Sequence, residues 1–256
     1  MLSKSRRIFG NRWRTNAVVL KILSMNLTSQ SSKCILRNRC GKMSKINPDV
    51  FKSYLFEGIS YSGELEIPVL HSSHLLPNEL IPFSKARGTK DFNLWVHFYE
   101  DDKNFMCVWN QPKKYLTLLQ KFYGVISPDF SVQRNMPLFK QIELTARGRL
   151  LGCWWRQNGI EVIPNVRFNG DRTYKFAFEG LDKNSNLAIG SLGCIKNKTE
   201  RDYFVKGLAE MIRTLKPKNL VVYGAAPKTI FEPYVNKTKI LHFPSQTTLI
   251  HKKESV

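Results

Sequence analysis

Asp129 stands in the run Gly124–Phe130, between Ser127-Pro128 and Phe130, an ionisable group among apolar neighbours. A carboxyl there could act as a general acid or base, or hold a metal ion. It could equally cap the next turn. Asn165 and Arg167 flank Val166 in Ile160–Phe168. Side chains alternate along a strand, so the two share one face. Arg167 offers a planar fork for phosphate or carboxylate, or a structural partner for Asp129 or Glu179. Ser191, at the end of Asn186–Gly193, and Tyr223, in Leu220–Gly224, complete the candidate set, and His242 could join from Ile240–Pro244.

These residues all fall at or near the ends of β-rich runs. With Leu94–Glu100 there are six such runs, and helical stretches fill most of the gaps. That alternation predicts an α/β domain of about six mainly parallel strands, built as an incomplete barrel or an open sheet. Ligands of such folds gather outside the carboxyl ends of the strands, so the polar set is expected at one end, around one pocket. Helices are expected over residues 115–122, 137–158 and 198–215. Residue 112, a proline, opens the first; Gly159 ends the second; Thr199 offers an N-cap for the third. The stretch 173–181 fits a strand or a helix, and the rhythm favours the helix. Leu65–Leu70 contains Pro68 and reads as an edge strand. Segment 47–90 is otherwise irregular, and Asp101–Asn104 reads as a polar turn.

Other groups carry a blander reading beside the functional one. Glu100, Asp101 and Asp102 could bind a divalent cation, but a solvated turn explains them. His97 lies in an apolar run and reads as a core histidine. Trp154 and Trp155 read as packing rather than base-stacking residues. Arg147, Arg149 and Arg156 read as the solvated face of their helix. The phosphate loop G-x-x-x-x-G-K-[ST], H-E-x-x-H, G-x-S-x-G and a helix-opening G-x-G-x-x-G are all missing, as is zinc-ligand spacing. No cofactor or metal is assigned from the sequence.

The chain has 256 residues and a formal net charge of +20. Residues 1–48 hold eleven of the 40 Lys and Arg and none of the 20 Asp and Glu, which leaves 29 against 20, a net +9, from Asp49 onward. A basic balance of this size suits a polyanion, so nucleic acid or a phosphate-bearing small molecule is the expected partner class. The division expected is a basic, flexible leader over 1–46, a single domain over 47–245 and a frayed tail over 246–256. The leader reads as a targeting peptide, a nucleic-acid-binding arm or an over-long start. We favour the last, with Met43 as initiator. No apolar run approaches the ~18–20 residues that span a bilayer. The five cysteines, Cys34, Cys40, Cys107, Cys153 and Cys194, are odd in number and irregular in spacing. They imply reduced thiols in a cytoplasmic protein. Oligomeric state is not legible.

Six segments carry a resemblance over about residues 50–245. They are LIPFSKA (80–86), VHFYEDD (96–102), GVISPDFS (124–131), VIPNVRF (162–168), LAIGSLGCIK (187–196) and LKPKNLVVYG (215–224). In order and spacing the chain resembles the bacterial and phage family called domain of unknown function 4417. The resemblance implies a phage, prophage or other mobile-element setting and carries no catalytic role. One departure is visible: members commonly place a tryptophan and acidic residues after the PNVR segment, where this chain has Phe168-Asn169-Gly170-Asp171. Two functional classes follow. One is an enzyme on a nucleotide, nucleic acid or other phosphate-bearing substrate, with Asp129 in the catalytic role and Asn165, Arg167, Ser191 and Tyr223 binding the ligand. The other is a non-catalytic nucleic-acid-binding or regulatory protein.

Overall fold

The computed structural model describes residues 49–245 and Thr248. The expectations for the leader, for Met43 and, Thr248 apart, for the tail lie outside the described residues. All elements below belong to the unit that begins at Phe51.

A short antiparallel pair opens it, β1 (Tyr61–Ser62) with β2 (Ile67–Pro68). Seven parallel strands follow: β3 (Leu80–Pro82), β4 (Trp95–His97), β5 (Gly124–Ile126), β6 (Val162–Ile163), β7 (Asn186–Gly190), β8 (Asn219–Tyr223) and β9 (Lys239–Phe243). Between them run α1 (Phe83–Ala86), α2 (Asp102–Asn110), α3 (Pro112–Leu119), α4 (Leu138–Gln157), α5 (Asp171–Ala177), α6 (Lys198–Leu215) and α7 (Lys228–Phe231).

The strands pair in chain order, β3-β4-β5-β6 in one sheet and β7-β8-β9 in another. The sheets are stitched where β6 runs on past Ile163. Val166 N–H donates to the Ala188 carbonyl at 2.8 Å, and Ala188 N–H donates to the Pro164 carbonyl at 2.9 Å. Side chains alternate strictly about this stitched sheet. Val96, Val125 and Val162 face one helix-covered core, and Leu187, Ile189, Leu220 and Val222 face a second. Trp95, Ile126, Ile163, Ala188, Val221 and Tyr223 point the other way and meet in a single inner cluster, with Leu80 and Phe243 against it. Every parallel strand contributes to that cluster, so the sheet curls around it. It does not close: among the described residues β3 and β9 pair with no strand on their outer edges. The fold is α/β, an incomplete βα barrel.

Helices form where periodic apolar residues and end signals coincide. α4 buries Leu144, Leu150, Leu151, Trp154 and Trp155 and ends before Gly159, at φ 80°. α6 buries Phe204, Leu208, Met211, Ile212 and Leu215. Its cap is Asn197, not Thr199: Asn197 Oδ1 accepts the Thr199 N–H at 2.8 Å and satisfies a donor the first turn leaves open. The helix expected around 173–181 is α5. Three elements were not foreseen. β3 and α1 lie in the segment read as irregular, and Asp102 opens α2 instead of sitting in a turn. An acidic residue in the first turn is favoured by the helix dipole.

Candidate active site at the carboxyl ends of the strands

Just beyond the carboxyl ends of β4, β5 and β6, three strand extensions place Tyr99, Asp129, Asn165 and Arg167 together. Tyr99 and Asn165 are almost fully buried. The Tyr99 hydroxyl donates to Asn165 Oδ1 at 2.9 Å, and Asn165 Nδ2–H donates to Asp129 Oδ1 at 2.8 Å. Arg167 Nη1–H donates to the other carboxylate oxygen at 3.3 Å. Behind them, Asn165 N–H donates to Ser127 Oγ at 2.8 Å and fixes β6 against β5. The result is a relay, Tyr99–Asn165–Asp129–Arg167, that is buried at the tyrosine and opens outward at the arginine. The Asp129 side chain is 12% exposed and that of Arg167 27%.

Tyr99 reaches the relay because β7 makes room for it. A Cβ on Gly190 would lie 2.6 Å from the Tyr99 ring, so only glycine fits there. Tyr223 stacks on Tyr99 with centroids 5.2 Å apart, and His97 lies 4.1 Å from Tyr223. Tyr223 therefore joins the set through ring packing. Ser191 sits at the same end, but it is buried and its hydroxyl donates to the Ala225 carbonyl at 2.7 Å. It braces the end of β7 against the turn after β8. His242 Nε2 lies 2.7 Å from the Gly224 carbonyl and serves the same turn.

Electrostatics set Asp129 apart. Burial raises its carboxyl above the ordinary value, while the Arg167 charge and the Asn165 hydrogen bond pull it back and Asp102 pushes it up again. Asp129 in turn raises the Arg167 guanidinium. Burial drives the Tyr99 phenol well above its usual range, with the Asp129 charge adding to it. Burial also raises the Cys194 thiol, against a lowering by Arg167. A carboxyl held toward its proton-carrying form, beside a fixed cation, can donate or accept a proton next to a bound anion.

The other acidic candidates scatter. Glu100 accepts the Ser84 N–H at 2.9 Å, Asp101 pairs with Lys103 at 3.2 Å, and Asp102 accepts the Ser131 hydroxyl at 2.8 Å. Among the described residues no three His, Cys, Asp or Glu side chains cluster as a metal site would require. His97 is a core histidine whose Nδ1 accepts the Tyr99 N–H at 3.1 Å. The tryptophans of α4 are core, as read.

The arginines of α4 correct the reading of a solvated face. Arg149 is 2% exposed and donates to the Ala177 carbonyl at 2.7 Å. Arg147 pairs with Glu143 and lies over the Trp109 ring at 4.5 Å. Sequence reasoning also missed Tyr99, which reads as one more aromatic in an apolar run. Its position two residues beyond His97, on the inner face, was the available signal.

A polar relay at the open end of an incomplete parallel barrel is a ligand site in many α/β proteins. The particular lineage is now plain: the chain belongs to the family described as Domain of unknown function (DUF4417), whose model matches residues 59–244. It is 32% identical over 167 residues to the Gene 1 protein of Mycobacterium phage L5, covering 64% of this chain and 72% of that protein. To the Gene 1 protein of Mycobacterium phage D29 it is 31% identical over 166 residues, covering 64% of this chain and 62% of that protein. No solved structure matches the chain.

Proposed function

We propose that the strand-end site takes a phosphate-bearing substrate, a nucleotide or a nucleic-acid end, and acts on it. Arg167 and Asn165 grip the anion. Asp129 is the acid or base. The observation that carries this reading is the Asp129–Arg167 pair itself, partly exposed at the mouth of the barrel with its carboxyl raised by burial above the ordinary value. A pair whose only task is structural gains from a lowered carboxyl, because the ionised form makes the bridge. The net charge of +9 beyond the first 48 residues supports an anionic ligand. The phage setting of the relatives is consistent with nucleic-acid chemistry but names no reaction.

Calorimetric titration with AMP, inorganic phosphate and a short single-stranded oligonucleotide tests it. Binding should weaken at least tenfold in Arg167→Lys, which keeps the charge and loses the fork. Asp129→Asn should abolish turnover of whichever ligand binds, with little loss of fold. If the pair is instead a structural bridge, Asp129→Asn should cost roughly 3–5 kcal/mol by stranding the arginine. That cost, with no ligand bound, would refute the proposal.

The same basic balance supports a second reading, a binding protein without catalysis. It predicts oligonucleotide binding that Asp129→Asn leaves intact and that falls steeply with salt as phosphates release counterions.

A further inference from the structure

Asn165 and Arg167 of the relay also line a cavity of about 20 Å³, whose other polar lining residues are Ser127, Thr145 and Arg149. Roughly 10–15 Å³ holds one water-sized atom, so this space admits one and little more. Two of its five polar side chains are guanidinium groups, and among the described residues no Asp or Glu lines it.

Arg149 is the unusual member. It is almost fully buried, yet among the described residues no carboxylate lies within ion-pair distance of it. Nη2 donates to the Ala177 carbonyl, whereas Nη1 is buried without a partner. A buried cation with an idle donor is costly unless an acceptor reaches it. Burial is the dominant influence and the guanidinium is lowered to about 9, which still leaves it charged at neutral pH. Cys153 nearby offers no compensating charge there, because burial pushes its thiol up to about 12.

We propose that the cavity receives one anionic atom between Arg149 and Arg167: a phosphoryl oxygen of the ligand or, without ligand, a chloride ion. This deepens the strand-end reading, since Arg167 and Asn165 face both the cavity and Asp129. It makes Arg149 a ligand-binding residue on the helix behind the strands. Asp129 competes for Arg167, so removing its charge should strengthen the anion site.

The test is thermal unfolding of the full chain in zwitterionic buffer, with chloride or inorganic phosphate added separately, for wild type, Arg149→Met and Asp129→Asn. At a hundredfold excess over Kd, the wild-type midpoint should rise by roughly 5–10 °C. Arg149→Met should lose that rise, and Asp129→Asn should reach it at lower anion concentration. A rise with phosphate alone would identify the ligand's oxygen; a rise with both would make chloride a resident that phosphate displaces. If Arg149→Met does not fold, competition decides: chloride should raise the phosphate concentration needed by wild type. An equal rise in wild type and Arg149→Met would overturn the cavity site and leave the strand-end reading standing. No rise with either anion would also overturn it, and the AMP titration would then judge the strand-end reading by itself.

Discussion

Acid should weaken this protein through His97, and the size of the effect follows from its surroundings. The ring is 1% exposed, its Nδ1 accepts the Tyr99 N–H, and Tyr99 and Tyr223 lie against it. Burial lowers its pKa from 6.5 to about 3. A depressed folded pKa stabilises the protein above the unfolded value, and that stability is lost as pH falls toward 3. Each unit is worth about 1.4 kcal/mol, so the whole interval amounts to about 5 kcal/mol. His97→Phe removes the titration and keeps the ring. It also strands the Tyr99 N–H, at a cost of about 1–3 kcal/mol that does not depend on pH. The variant should therefore be the weaker protein at pH 7 and the stronger one in acid, the two curves crossing roughly between pH 4.3 and 5.8. Urea midpoints taken from pH 4 to 8 measure this. Parallel curves across that range would show that His97 does not enter the fold neutral, and the reasoning would fail.

Gly207 on α6 faces Phe168, whose ring carbon would lie 2.2 Å from an added Cβ. Gly207→Ala should therefore cost about 1–3 kcal/mol by overpacking, despite alanine's better helix propensity, and urea denaturation reads it directly. A neutral or stabilising result would mean that α6 is not held against the 164–170 loop. For nucleic acid, the logarithm of affinity for a short oligonucleotide should fall linearly with the logarithm of salt concentration. Undetectable binding at low salt would remove that partner class.

β7 and β8 were readable because they are largely aliphatic runs buried on both faces, whereas β9 keeps Lys239 and His242 exposed at the sheet edge. The run Leu220, Val221, Val222 shows this burial most clearly, since all three side chains are fully buried. β3 was not readable, since it has only three residues, one of them Pro82, and no local pattern survives at that length. α2 was missed because Asp101-Asp102-Lys103-Asn104 is as polar as any turn; what makes the segment helical is the apolar Phe105 and Val108 that follow. The candidate site was partly legible for a topological reason. Parallel strands joined by helices bring their carboxyl ends together, so Asp129, Asn165 and Arg167 had to be neighbours if the strands were adjacent. Which hydroxyl braces a turn, as Ser191 does, and which arginine turns inward, as Arg149 does, depends on packing across the sheet. Residue type alone does not carry that information.

The most direct measurement of the strand-end site is the pH titration of the Asp129 carboxyl carbon by NMR, alone and with AMP. The account predicts a midpoint above the ordinary aspartate value in the free protein, and a further rise when the phosphate binds beside it and adds negative charge. A midpoint at or below the ordinary value, unmoved by AMP, would contradict it.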